Sequence, residues 1–128
     1  MEGLGNVAAP LDIDVCCEDW GVGPGFDAIV AINMIHISPW GATLGLMAGA
    51  ARLLGVGGTL VTYGPYMRNG RHTAASNQAF DASLRARNSS WGVRDLADVE
   101  GAALARGLRL RETIEMPVNN LSLVFVVK

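Results

Sequence analysis

Asn33 and His36 stand three residues apart, directly after the apolar run Ala28-Ile29-Val30-Ala31-Ile32. A carboxamide and an imidazole at such a tip can position a substrate and accept a proton from it, with His36 as the general base. A second apolar run, Thr59 to Tyr63, ends in Tyr63-Gly64-Pro65-Tyr66 and adds two phenolic hydroxyls. Strands that finish in polar tips deliver those tips to one edge of an open α/β sheet, and ligands bind outside the carboxyl ends of its strands. Each candidate has a plainer alternative. His36 can cap neighbouring backbone groups. Tyr63 and Tyr66 can bury their rings and keep their hydroxyls wet. Arg68, Arg71 and His72 can bind an acidic group or form a solvated loop. Asp14 and the pair Asn119-Asn120 can be ordinary turn residues. Trp40 and Trp91 are most simply core or interface aromatics.

The elements around these residues follow from pattern and punctuation. Leu11 to Cys16 alternates apolar and polar with period two, a short strand. Gly21, Gly23 and Gly25 surround Pro24 ahead of a strand, so they read as a turn; a phosphate cradle would open a helix. Phe26–Asn33 is a strand whose near-continuous apolar run suits burial on both faces. Ser38 is a good helix N-cap and Pro39 a good first helical residue. That helix runs to Leu53-Leu54, with Gly55 as its stop. Gly41, Gly45 and Gly49 share one of its faces, letting the backbone lie close on the sheet. Thr59–Tyr63 is the next strand, and residues 76–87 a helix. Asp95 caps a further helix, with Asp98 in its first turn and Gly107 as its stop. Leu108–Met116 and Leu121–Val127 flank the turn Pro117-Val118-Asn119-Asn120 and form an antiparallel pair.

The bulk numbers bound the class. The 128 residues make one domain, 1–128, with 50% hydrophobic and 17% charged residues. That is apolar for the length, so either the core is large or some apolar surface meets a partner. A net charge of −2 gives no basic footprint for nucleic acid. Cys16-Cys17 are adjacent, without metal-ligand spacing, and read as free thiols of a cytoplasmic protein; no metal site is expected. Met1-Glu2-Gly3 lacks the basic and apolar parts of a signal peptide. Ala28 to Ala51 carries no Asp, Glu, Lys or Arg, but Asn33, His36, Ser38 and Pro39 interrupt it. A buried strand and a buried helix explain it better than a membrane span.

The element order resembles the carboxyl-terminal half of class I S-adenosylmethionine-dependent methyltransferases, and Leu54-Gly55-Val56-Gly57-Gly58-Thr59-Leu60 looks like a recurrent turn of that fold. A closer resemblance is to a little-characterised family of methyltransferase-like proteins of bacteria and animals. Five strings carry it: Asn33 to Trp40, Tyr63 to Tyr66, Ser76 to Arg85, Trp91 to Leu96 and Glu115 to Leu123. The resemblance implies an α/β, truncated Rossmann-like methyltransferase fold. It would have about five strands, helices on both faces and an antiparallel final pair. By the size usual for such domains, about 70 to 80 upstream residues would carry the glycine-rich cofactor turn, which this sequence lacks. The implied cofactor is S-adenosylmethionine, with Asp14 at its adenine and Asn33 near the transferred methyl. His36 and Tyr63 become the candidate catalytic residues, and Trp40, Tyr66, Asn119 and Asn120 face the substrate side. The implied activity is methyl transfer to an unknown small molecule or protein, possible in this chain only if the cofactor turn is supplied. The alternative is a non-catalytic binding or assembly module. With its parallel neighbour absent, the Phe26–Asn33 strand would expose an apolar edge. A homodimer or a domain-swapped oligomer is the expected outcome, with neither nucleic acid nor membrane as partner.

Overall fold

The computed structural model describes residues 26–128. The expected strand Leu11–Cys16, the glycine loop at 21–25 and Asp14 lie outside the described residues. Seven main elements follow in chain order: β1 (Phe26–Ile32), α1 (Trp40–Leu53), β2 (Leu54–Gly64), α2 (Ala75–Arg87), α3 (Leu96–Leu104), β3 (Leu108–Met116) and β4 (Asn120–Val127). Among the described residues the strands form one four-stranded sheet in the order β1-β2-β4-β3. β1 and β2 are parallel, whereas β4 is antiparallel to both β2 and β3. This is the mixed α/β architecture with a closing antiparallel pair that the sequence implies.

The core forms where the helical and strand periods meet. On α1, Leu46, Met47, Ala50 and Leu53 recur at helical spacing, and all are buried. Leu121, Leu123 and Phe125 recur every second residue of β4 and pack into the same cluster, with Leu60 of β2 and Leu108 of β3. Val99 and Ala103 of α3 complete it. Each fully buried Leu or Phe there contributes about 2 kcal/mol of transfer free energy. The opposite face of the sheet is different. Val30 and Ile32 are 62% and 63% exposed, and Ile114 of β3 is 41% exposed. Their neighbours in register on that face, Val61 and Tyr63 of β2, are half-buried.

Three boundaries differ from the sequence expectation. Asn33 adopts φ 58° and turns the chain sharply after β1. The His36 and Ile37 N–H groups then both donate to the Asn33 carbonyl. The Ser38 hydroxyl is drawn back to the Met34 carbonyl, so it does not cap α1. Pro39 is the cap residue, without a side-chain hydrogen bond, and Trp40 is the first helical residue. At the other end Leu54 turns extended and opens β2 directly, so Gly55 lies in the strand rather than stopping the helix. β2 is longer than expected because its first residues pair irregularly. Phe26 stands opposite Leu54 and Ala28 opposite Thr59, so the extra residues bulge out. Gly58 is needed in that bulge: a Cβ there would lie 2.9 Å from the Gly55 carbonyl oxygen and from Leu54 Cβ. On α1, Gly49 is buried but Gly41 is exposed with open space around it. Close backbone approach is thus not a property of the whole glycine face.

Candidate functional site

The carboxyl ends of β1 and β2 lie side by side. The Asn33 N–H donates to the Tyr63 carbonyl at 2.7 Å, so the two tips are locked in register. Asn33 lines a cleft of about 250 Å³ with Pro65, Ser76, Asn77, Phe80, Val118 and Asn120. A second cleft, about 230 Å³, adjoins it through Asn120 and is lined by Arg68, Thr73, Glu115, Met116, Asn119 and Leu121. Between them the Asn77 amide donates to the Asn119 carbonyl at 3.1 Å and to Thr73 Oγ1 at 3.3 Å, tying α2 to the β3–β4 turn. The Asn120 amide donates to Tyr63 Oη at 3.2 Å. Asn33, Tyr63, Asn119 and Asn120 are therefore brought together at one edge of the sheet.

That edge is built from unusual backbone. Val118 and Asn119 follow one another at φ 62° and 60°, in the left-handed region. Asn tolerates this conformation, but a β-branched Val there is a genuine outlier, costing on the order of 1–3 kcal/mol. The turn thereby holds the Val118 side chain in solvent at the lip of the first cleft, 78% exposed. Gly64 closes the floor. A Cβ there would lie 2.7 Å from Asn33 Oδ1 and 2.9 Å from His36 Nε2, so only glycine lets these two side chains sit against the strand. Both atoms are buried without a hydrogen-bond partner.

His36 and Tyr66 lie behind the edge, not on it. His36 is fully buried, and its ring meets Tyr66 edge-on at 4.8 Å. Its Nδ1 accepts from the Arg94 N–H at 3.1 Å, which places the ring proton on Nε2. Burial, helped by the Arg94 charge, lowers its pKa to about 3, so the imidazole is neutral at physiological pH. Tyr66 is 1% exposed, and its hydroxyl donates to Thr62 Oγ1 at 2.8 Å. Burial pushes its ionisation far above the usual phenol range. Trp40 stands elsewhere: the Arg94 guanidinium lies 5.6 Å from its ring centre, in a separate cleft of about 480 Å³ shared with Asp98.

Two residues that the sequence did not single out position the loops behind the edge. Arg94 Nε donates to the Ile35 carbonyl, and Arg94 Nη2 to the carbonyls of Ser38 and Ser90, so one guanidinium pins the loop after β1. Burial and the nearby Arg85 charge lower its pKa. Asp81 gathers Arg85 Nε at 3.0 Å, the Val93 N–H at 2.8 Å and His72 Nε2 at 3.2 Å. Burial would raise the Asp81 pKa, but the Val93 bond, Arg85 and His72 outweigh it and hold the carboxyl below its usual range. Both residues sit inside strings already notable in the sequence, yet neither spacing nor type marks them as hubs. Among the described residues no group of three His, Cys, Asp or Glu side chains could hold a metal, and no helix is long and apolar enough to cross a membrane.

A family model described as "Protein of unknown function (DUF938)" matches residues 1–127. Among solved structures, an O-methyltransferase family protein from Burkholderia thailandensis superposes with TM-score 0.82 at 16% identity. It covers 98% of this chain and 37% of that one. A putative O-methyltransferase from Nostoc punctiforme gives TM-score 0.75 at 16% identity, over 85% of this chain and 34% of that one. Human N-acetylserotonin methyltransferase, solved in complex with S-adenosylmethionine, gives TM-score 0.71 at 11% identity, over 79% and 29%. At these identities the likeness shows a shared fold. The chain spans about a third of the length of the structures it matches.

Proposed function

The chain belongs to the DUF938 family, and from that premise we propose that it forms the acceptor-side part of an S-adenosylmethionine-dependent methyl-transfer site. The observation that carries this is the meeting of Asn33 and Asn120 on a cleft at the carboxyl edge of the parallel pair β1–β2, with Asn120 bonded to the Tyr63 hydroxyl. The likeness to methyltransferase folds supports it.

The described residues suit one side of a sulfonium cofactor. A cationic sulfur needs surroundings without positive charge, and the tips of β1 and β2 offer a carboxamide, a phenol and a neutral imidazole. When bound, the cofactor supplies an electrophilic methyl group; the protein supplies position. In this proposal Asn33 lines the cofactor near that methyl. Asn120 fixes the Tyr63 hydroxyl, and Tyr63 orients the acceptor. His36 does not take the acceptor's proton. Its buried ring, with Nδ1 engaged, shapes the floor under Asn33 instead. Asp14, outside the described residues, is assigned to the adenine side by resemblance alone.

Calorimetric titration with S-adenosylhomocysteine, which resists turnover, tests the proposal. Binding tighter than about 100 µM, roughly 5.5 kcal/mol, would support the proposal and show that the chain holds the cofactor without a separate glycine-rich turn. No heat at millimolar ligand would remove methyl transfer as the activity of this chain by itself.

A second reading has its own observation. The exposed apolar face around Val30 and Ile32 favours an assembly module that joins two copies of the chain. Self-association without cofactor binding would select it.

A further inference from the structure

Resting on the methyl-transfer reading, we propose that the cleft at Asn33 takes an uncharged aromatic ring bearing an N–H or O–H donor, and that Val118 sets its fit. The size suits one ring: the cleft is about 250 Å³, and a cavity of about 150 Å³ already accepts benzene. Its lining is divided in kind. Pro65, Phe80 and Val118 form an apolar shelf, and Asn33, Ser76, Asn77 and Asn120 supply neutral polar groups. No lining side chain is charged, so a charged ligand group would be desolvated without a partner. The amides also have a direction. Asn77 spends its NH2 on Asn119 and Thr73, and Asn120 spends its NH2 on Tyr63. The carboxamide oxygens of Asn77 and Asn120 remain to accept, beside the Ser76 hydroxyl, which both donates and accepts. A ligand N–H or O–H meets those two oxygens.

Val118 is the lip of this shelf. The left-handed turn holds its isopropyl group against the cleft although 78% of the residue is exposed. A residue kept out of its preferred backbone region and out of the core fits a role in contact rather than in stability. Glycine at this position would keep the turn, since it adopts positive φ without strain, and would remove only the contact.

The test uses benzamide and benzoate, which share a shape and differ in charge, followed by NMR on the chain as it is. At about 10 mM, where a ligand of Kd ~1 mM is nearly saturating, benzamide is expected to shift the side-chain amides of Asn77 and Asn120 and the Val118 methyls. Benzoate is expected to leave them in place. Val118→Gly should weaken benzamide by about threefold or more, the effect of a partly buried isopropyl group, with an unchanged or higher thermal midpoint. Equal shifts from benzoate, unchanged benzamide binding in Val118→Gly, or no benzamide shift would each overturn the proposal. The result separates from the cofactor titration. Benzamide binding without S-adenosylhomocysteine binding would keep the cleft and retire methyl transfer; the reverse would keep methyl transfer and retire this ligand class.

Discussion

At the scale of single residues, His36 shows what a sequence reveals and what it hides. Its place after an apolar run marked it as a polar tip, but its ring is fully buried behind the sheet edge. Its burial was not legible, because it depends on Gly64 offering no Cβ and on Arg94, 58 residues away, donating to Nδ1. Asn33 is the converse case. The residue lines the cleft, but its left-handed backbone leaves no mark in residue order beyond the tolerance of Asn for it. The neutral His36 has a consequence for stability. Its pKa is about 3 when folded and 6.5 as the ordinary value. The unfolded chain therefore binds the extra proton first as pH falls. Stability is flat above pH ~6.5 and falls between there and ~3. From pH 7 to 5 the loss should be about 2 kcal/mol. His36→Asn, which keeps an acceptor for Arg94, should be less stable at pH 7 but lose this slope in urea melts between pH 5 and 7. An unchanged slope would show that another group carries it. Asp81 acts in a lower window. Its pKa is depressed, so the stability it contributes is lost only as pH falls through the acid range below the ordinary carboxylate value.

Among elements, the ones with their own punctuation were legible. α3 begins at Leu96 under the Asp95 cap, whose Oδ1 accepts from the Ala97 N–H at 2.9 Å. Gly107 takes φ 80° just before β3. β3 and β4 keep the expected pairing, since period-two runs around a short turn leave little choice. The start of α1 was misplaced because a Ser-Pro pair looks like a cap from outside, and a tight turn built on Asn33 takes the hydroxyl first. Asp95 does more than cap. Its Oδ2 also accepts from the Gly70 N–H at 2.6 Å, so one carboxylate joins α3 to the Asn69-Gly70 turn. Asp95→Ala removes a cap worth about 1 kcal/mol and a second charged hydrogen bond worth about 1.5. A loss of roughly 2–3 kcal/mol in chemical denaturation is expected, and Asp95→Asn should restore about half of it. A loss below ~0.5 kcal/mol would mean that water replaces both bonds.

For the whole molecule, the apolar surplus in the composition has a location. It lies partly on the sheet face that the described helices leave open, where Ala28, Val30 and Ile32 of β1 are exposed. A parallel pair such as β1–β2 is ordinarily covered on both faces. β1 also has β2 as its only strand neighbour among the described residues, and its sequence from Phe26 to Ile32 has no Lys or Pro to protect the edge. The sequence implied an exposed edge and a strand buried on both faces; among the described residues one face of β1 is open as well. Val30→Lys with Ile32→Lys should therefore raise solubility and shift light-scattering mass toward the monomer, with little change in core stability. A wild-type chain that is already monomeric at high concentration would remove the assembly reading.

The sheet order also bears on how the chain is made. β4, the last described element to be synthesised, is not at the margin but between β2 and β3. Until Asn120–Val127 has left the ribosome, β3 has no strand beside it among the described residues, β2 lacks its pairing with β4, and the core lacks Leu123 and Phe125. Earlier elements can fold locally, but they cannot join into one sheet ahead of their final strand. The nascent chain must therefore wait, with these hydrophobic layers open, for residues 120–127.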